Sequence, residues 1–137
     1  MLTWEAARQA IYSRFITEWA DQLDFFIEGQ QDVDMQVQVT PFVRLCVEPT
    51  RIQQIAMLGF TPPLRSFGTV EVTVFVPMSV GARTRMTAID TLIEIFAAQT
   101  VGEVIFRDVN VLSLIDGKDW RSQTVIANFF FEHQTGA

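Results

Sequence analysis

Residues 68–77 read Gly-Thr-Val-Glu-Val-Thr-Val-Phe-Val-Pro, and this stretch decides how the second half of the chain is organised. Valines stand at every second position from Val70 to Val76, and they share one face because strand side chains alternate between two faces. After Gly81 the apolar spacing changes to that of a helix, and two further strands follow. The segment 68–131 therefore predicts a β-α-β-β unit.

The helix of this unit is expected over about residues 82–99. Its apolar stripe is Met86, Ile89, Leu92, Ile93 and Phe96, and its other side carries Arg85, Asp90, Thr91 and Glu94. This stripe is expected to pack on the valine face of strand 69–76.

Two strands are expected after the helix, over residues 103–115 and 120–132. They flank Asp116-Gly117-Lys118-Asp119, and Asp-Gly is a strong signal for a hairpin turn. The last strand is largely apolar on both faces. One face is therefore expected to meet the helices, and the other a second subunit.

The first half predicts a helix over about residues 3–20, with Thr3 as its N-cap, and then an acidic connector over 21–34 held by its aromatic side chains. A strand is expected over 35–48, interrupted at Pro41, because proline cannot donate to a strand ladder. A short strand follows over 51–58. The sequence thus predicts one α+β domain, residues 1–137, with a mostly antiparallel sheet, two helices packed on one face and the order α-β-β-β-α-β-β.

The composition favours an oligomer over a nucleic-acid-binding protein. Hydrophobic residues make up 49% of the 137 residues and charged residues only 19%, against about 25% in average proteins, so apolar surface is left after one core is filled. The net charge of −6 opposes general binding to phosphates. A lone cysteine, Cys46, and the lack of an apolar leader or long apolar run indicate a cytosolic protein that does not enter a membrane.

Acidic residues are concentrated in one segment. No basic residue lies between Arg14 and Arg44, where six acids occur: Glu18, Asp21, Asp24, Glu28, Asp32 and Asp34. Carboxylates also suit hard cations, but the segment lacks the alternating Asp ladder and glycine of a calcium loop. We interpret it as a solvated or electrostatically repelling face, with a cation site and a charge-matched protein partner as alternatives.

No catalytic residue, cofactor or metal site is predicted. The chain has a single histidine, His133, interpreted as a surface residue, and a single cysteine, with no glycine-rich phosphate loop. The segment 59–68 is instead predicted to be an apolar loop bounded by proline and glycine, and such loops usually contact something. Its residues expected at a subunit or tube interface are Phe60, Leu64, Arg65 and Phe67.

The chain as a whole resembles the tail-terminator or tail-completion proteins of long-tailed bacteriophages, the minor tail protein U-like group. The resemblance is carried by Trp4-Glu-Ala-Ala-Arg-Gln-Ala-Ile11, Val74-Phe-Val-Pro77, the turn at Gly81, Ile93-Glu-Ile-Phe96, and Asp116-Gly117 with Trp120-Arg-Ser-Gln and Asn128-Phe-Phe130. It covers both ends well, whereas residues 21–67 match only in the order of elements.

The resemblance implies a structural virion assembly protein and not an enzyme. Such proteins form a ring, typically a hexamer, that caps the head-proximal end of the tail tube and stops its polymerisation. The implied partners are further copies of the chain, the tail tube protein and the head-tail connector, and the implied location is the virion tail, with the host cytoplasm during assembly. DNA would pass through the ring without specific binding, and Asp21, Asp24, Glu28, Asp32 and Asp34 would form an acidic lumen that repels phosphates, or else a docking face.

Two other classes stay open at this point. One is a small α+β ligand-binding protein or enzyme in which Phe25, Phe26, Phe129 and Phe131 enclose an aromatic pocket with Asp24. The other is a regulatory module that forms a dimer through its sheet. The mass in solution and a negative-stain image would separate rings from monomers and dimers.

Overall fold

The computed structural model describes residues 2–20, 22–27, 40–54 and 64–133. Their elements, in chain order, are α1 (Trp4–Trp19), β1 (Asp24–Ile27), β2 (Phe42–Gln54), β3 (Leu64–Pro77), α2 (Ala82–Phe96), β4 (Thr100–Val101), β5 (Val104–Val111), β6 (Ile115–Asp116) and β7 (Trp120–His133).

The strands form one sheet in the order β1-β2-β3-β7-β5-β4, and β6 pairs with the start of β7. The β1–β2 pair is parallel, and the other described pairs are antiparallel. The sheet curves into a half-barrel, and the two helices contact its concave side, so the domain is α+β. At the centre β3 and β7 pair along their whole length, from Leu64 opposite His133 to Pro77 opposite Trp120.

The predicted architecture is wrong in two respects. The order is α-β-β-β-α-β-β-β-β instead of α-β-β-β-α-β-β, and the sheet is mixed. The connector expected over 21–34 contains β1. Its two adjacent aromatic residues, Phe25 and Phe26, pack on opposite faces of the sheet. Phe25 packs on Phe15 of α1 at 5.5 Å between ring centroids, whereas Phe26 packs on Phe42 at 5.4 Å. Alternation of this kind is what a strand provides.

The strands expected over 35–48 and 51–58 are also corrected. A single strand, β2, runs from Phe42 to Gln54 and absorbs its irregularity as a register shift between Pro49 and Arg51. Proline fits there because β1 pairs only with residues 42–45, so within the described residues Pro49 lies on a free edge that needs no N–H donor. The predicted interruption at Pro41 is the start of the strand.

Helix α1 begins as its sequence predicts. The Thr3 hydroxyl accepts a hydrogen bond from the Ala6 N–H at 3.1 Å, which satisfies one of the unpaired donors of the first turn. The helix ends at Ala20, whose φ of 54° is left-handed. There the Trp19 indole donates to the Leu23 carbonyl at 3.0 Å, and this bond turns the chain toward β1.

The buried stripe of α2 is rotated from the predicted one. Met86 is 48% exposed, and Arg85 is 7% exposed, the reverse of the sequence interpretation. The buried residues follow the spacing 85, 88, 89, 92, 95 and 96, which is a regular helical stripe that includes a small residue, Ala88. Leu92 and Phe96 are fully buried in the same core cluster as the valine face of β3.

Candidate subunit interface

The sheet has a second face that no described helix covers, called here the outer face. Along β3, even-numbered residues from Ser66 to Val76 are buried, and the odd-numbered ones are only partly so. At one end of this face Phe42 is covered by Phe26, Phe75 and Trp120, with centroid distances of 4.7–5.5 Å. At this end of the outer face, aromatic side chains from the strands themselves therefore cover Phe42, and no described helix takes part.

The other end of the outer face carries a cluster of arginine and phenylalanine side chains. The Phe67 and Phe130 rings lie 6.0 Å apart on neighbouring strands. The Arg51 guanidinium lies 4.3 Å from the Phe67 centroid, and those of Arg65 and Arg107 lie 5.0 and 4.4 Å from the Phe130 centroid. These five residues form the Arg–Phe cluster. Stacking on a ring is favourable for a guanidinium and leaves its N–H edges able to bind carboxylates.

A groove of about 270 Å³ opens beside this cluster. Its walls include Thr50, Arg51, Arg107, Asp108 and Asn128, with Phe67 and Phe130 between them. The Thr50 hydroxyl donates to the Phe67 carbonyl at 3.0 Å and holds the irregular part of β2 beside β3. The groove, called here the Arg–Phe groove, is thus built on strands and combines aromatic and cationic groups.

Internal carboxylates only partly satisfy these arginines. Arg65 lies 3.7 Å from Glu132, a long ion pair, and its buried Nε has no hydrogen-bond partner. Among the residues that the structure describes, no salt bridge involves Arg51 or Arg107, and both are exposed. Guanidinium donors therefore remain available at the surface of the groove.

An exposed apolar arm lies at the opposite end of β7, where its Ile115 and Asp116 pair with Ser122 and Arg121. Residues 111–119, called here the arm, are all exposed: Ile115 is 65% exposed, and Val111, Leu112 and Leu114 are 37–47% exposed. Its base is tied to β7, because the Leu112 N–H donates to the Thr124 carbonyl and the Gln123 amide donates to the Leu112 carbonyl, both at 2.9 Å. At its tip the Gly117 N–H donates to the Trp120 carbonyl at 2.8 Å, which closes the predicted hairpin.

The structure separates the predicted interface residues. Leu64, Arg65 and Phe67 belong to β3 and not to a loop, and Phe60 lies outside the described residues. Arg65 and Phe67 are on the outer face within the Arg–Phe cluster, whereas Leu64 is one position out of phase with them. Sequence reasoning missed Arg51, Arg107 and the arm. The run Val-Leu-Ser-Leu-Ile over 111–115 was a signal for the arm, because it offers more apolar side chains than a hairpin end can bury.

Of the acids expected at a lumen or docking face, only Asp24 lies in the described part of the chain. It is exposed at the start of edge strand β1 and accepts a hydrogen bond from the Thr40 hydroxyl at 3.2 Å. Asp21, Glu28, Asp32 and Asp34 lie outside the described residues, so the grouping of these acids stays a prediction.

The aromatic residues of the alternative ligand pocket do not come together. Phe25 and Phe26 point to opposite faces of β1, and Phe129 and Phe131 lie on β7, three strands away, or about 14 Å at about 4.8 Å per strand. Phe129 and Phe131 instead pack edge-on against Trp4 at 6.0 and 4.9 Å. They are core residues.

The histidine is also placed differently from its predicted surface position. His133 is half-buried at the end of β7, and its Nδ1 lies 3.3 Å from the Ser66 hydroxyl. Ser66 is completely buried, so this Ser–His pair cannot reach a substrate as a nucleophile and base. Its role is to satisfy a hydroxyl group in the core.

No three His, Cys, Asp or Glu side chains within the described ranges are grouped closely enough to hold a metal ion. No helix of the described part is both long and apolar enough to span a membrane.

Comparison with known proteins shows the fold alone. No protein-family model matches the chain, and neither does any curated protein. One solved structure, of a protein without a descriptive name, covers 95% of this chain and 98% of its own, with a TM-score of 0.62 and 15% sequence identity. At that identity the similarity establishes a shared architecture and says nothing of a shared activity.

Proposed function

We propose that this chain is a ring-forming tail terminator of a long-tailed bacteriophage. It caps the head-proximal end of the tail tube, stops tube polymerisation and offers the head connector a surface to join. In this proposal it is a structural protein of the virion tail, assembled in the host cytoplasm, with the tail tube protein, the connector and other copies of itself as partners. A hexameric ring and an acidic lumen for passing DNA belong to the same proposal.

The observation that supports this proposal best is the presence of two exposed surfaces of different chemistry at the two ends of one sheet. The arm is apolar, and the Arg–Phe cluster is aromatic and cationic. A closed ring needs a head-to-tail interface in which each copy presents two different patches, whereas a twofold dimer uses the same patch twice. The sequence resemblance to tail terminators points the same way.

If the two faces of the ring differ, only one ring of this protein adds to the end of the tube. One face would mimic the docking surface of a tube subunit and add to the growing end. The other face would offer no such surface, so the tube would stop growing. The curved sheet and its two helices give each copy two unlike sides, which is the asymmetry that this mechanism needs.

Three measurements test the proposal. Native mass spectrometry and negative-stain imaging of the purified protein, alone and with tail tube protein, should give rings and capped tubes. The length of tubes polymerised in vitro should shorten as the protein is added. Tubes of unchanged length, with no density at their ends, would contradict the proposal.

One groove favours a ligand-binding function as a second candidate. It has a volume of about 440 Å³, within the 300–1,000 Å³ typical of small-molecule sites, and lies between Leu23 and the start of α2, at Thr84, Thr87 and Ala88. A small molecule that raises the melting temperature of the wild type but not of Thr87→Trp, in a protein that remains monomeric, would favour this candidate.

A further inference from the structure

We propose that the arm of one copy docks in the Arg–Phe groove of a second copy. This contact deepens the proposed function by naming the subunit interface, and it rests on that function only for the closure of a ring. The contact itself concerns the isolated protein and can be measured without a tail tube.

The arm is chemically suited to an aromatic and cationic groove. It presents Leu112, Leu114 and Ile115 as apolar anchors, and exposed apolar groups of this extent mark interaction sites. Its residues 111–119 also contain Asp116, Lys118 and Asp119, for a formal net charge of −1. Asp116 is held in place by Arg121, whose Nε donates to it at 2.9 Å.

The groove offers the cationic and aromatic groups that are complementary to the arm. Two guanidiniums, from Arg51 and Arg107, and one carboxylate, from Asp108, line the groove and give it a formal charge of +1. Arg65 and its ion-pair partner Glu132 lie beside it. The half-buried ring of Phe67 provides apolar surface between the charged groups of the groove, and it lies 6.0 Å from the buried ring of Phe130. With Asp116 paired to Arg121, the arm offers the Asp119 carboxylate beside its aliphatic side chains, and the groove offers the guanidiniums of Arg51 and Arg107 beside an aromatic ring, so the two surfaces are chemically complementary.

The lining of the groove favours side chains over a metabolite. Its volume is about 270 Å³, at the lower limit of the range of about 300–1,000 Å³ found for small-molecule sites. Aromatic rings and arginines are the residues enriched at protein–protein contacts that carry most of the binding energy. The groove therefore fits a few side chains inserted from a partner.

The arm cannot reach the groove of its own chain. Ile115 pairs with Ser122, and Phe130 follows eight residues later on the same strand, about 26 Å away at about 3.3 Å per residue. The backbone hydrogen bond from the Leu112 N–H to the Thr124 carbonyl, and the one from the Gln123 side-chain amide to the Leu112 carbonyl, hold the arm in that direction. Because the two surfaces are at opposite ends of one strand, docking between copies is head-to-tail and each copy uses both surfaces.

Sedimentation velocity over a range of concentrations tests the contact. Ile115→Asp should weaken self-association by at least about 30-fold, the effect of losing one dominant interface residue, and Arg107→Glu should do the same from the groove side. The matched control is Ile16→Asp, the same chemical change at an exposed position of α1, which should assemble like the wild type. Unchanged far-ultraviolet circular dichroism would show that each variant is folded.

Mixing the two variants gives the decisive result. Ile115→Asp retains an intact groove, and Arg107→Glu retains an intact arm, so a mixture should form 1:1 heterodimers and nothing larger. Neither variant alone should do so. Absence of heterodimers, or assembly of either variant like the wild type, would overturn the contact.

The outcomes for the contact and for the proposed function are distinguishable. A wild type that stays monomeric at every concentration overturns the contact, whereas the tail-terminator proposal is judged by tube capping and survives if tubes are still capped. Rings that persist in both variants also overturn the contact and leave the terminator proposal in place.

Discussion

The indole ring of Trp4 lies directly against Gly68. A Cβ added to this glycine would stand 2.9 Å from the Trp4 Cη2 atom, 2.9 Å from the Glu48 carbonyl oxygen and 2.6 Å from Cζ of Phe129. Real Cβ atoms do not approach other atoms so closely, and a paired backbone carbonyl cannot move aside. Gly68 is therefore the point at which the first turn of α1 can approach β3.

Gly68→Ala should destabilise the fold. Because overpacking of this kind costs about 1–3 kcal/mol, the free energy of unfolding measured with urea should fall by that amount. Gly81→Ser is the matched control, since nothing lies within 4 Å of the Cβ position there and serine is a better helix N-cap. Equal stability of Gly68→Ala and the wild type would show that Trp4 does not pack against β3.

Leu92→Ala and Met86→Ala test the rotation of the α2 stripe. Leu92 is fully buried, so its truncation should cost about 2–5 kcal/mol in denaturant unfolding. Met86 is half-exposed, so its truncation should change stability by no more than about 0.5 kcal/mol. Similar losses of stability in both variants would show that Met86 is buried, as the sequence predicts, and would contradict the rotation.

Arg65→Glu should leave the chain folded and weaken its assembly. The new carboxylate would face Glu132 at the edge of the groove, and like charges in adjacent cross-strand positions repel. The double change Arg65→Glu with Glu132→Arg restores the internal pair. We expect it to recover the melting temperature but not the oligomer size in light scattering, and recovery of both would place Arg65 outside the interface.

Neutralising the acidic run tests the lumen. With Asp21, Asp24, Glu28, Asp32 and Asp34 changed to Asn or Gln, rings should still close and should bind DNA more tightly, because repulsion of phosphates is removed. Fluorescence anisotropy should show this gain at about 50 mM salt and its loss at about 200 mM. If the neutralised variant binds DNA at low salt no more tightly than the wild type and no longer attaches to the connector, the acids form an outward docking face instead. A melting temperature that no longer rises with Ca²⁺ or Mg²⁺ indicates a cation site.

The first turn of α1 contains a carboxyl group with a low pKa. Hydrogen bonds donated by Arg8 and then by Gln9 lower the pKa of Glu5 from 4.5 to about 2. Because the pKa of Glu5 in the folded protein lies below its ordinary value, these hydrogen bonds stabilise the fold fully above about pH 4.5. This stabilisation is lost as the pH falls toward about 2. Because Glu5 is exposed, the contribution is small. An NMR titration should find the pKa near 2 in the wild type and near its ordinary value in Arg8→Gln, and identical titrations would contradict the pairing.

Local signals were enough to locate both helices and most of the two central strands, although residues 64–68 of β3 were predicted to be a loop. The Thr3 cap, the valine alternation from Val70 to Val76 and the Asp116-Gly117 turn depend on neighbours in sequence, so they could be located without a structure. The same holds for the excess of apolar residues, which is a property of composition. The resemblance to tail terminators also comes from sequence, and its functional content remains a proposal.

Only the tertiary structure decided which face each residue occupies and what meets it there. Residues 24–27 form a strand with Phe15 on one side and Phe42 on the other, and α2 buries Arg85 and Ala88 while Met86 is half-exposed. Arg51, Arg65 and Arg107 are far apart in sequence, and they meet over two phenylalanines because β2, β3, β7 and β5 are adjacent in the sheet. Strand pairing joins residues that are distant in sequence, and no local pattern predicts it. The sequence alone therefore shows many of the elements but not the groove.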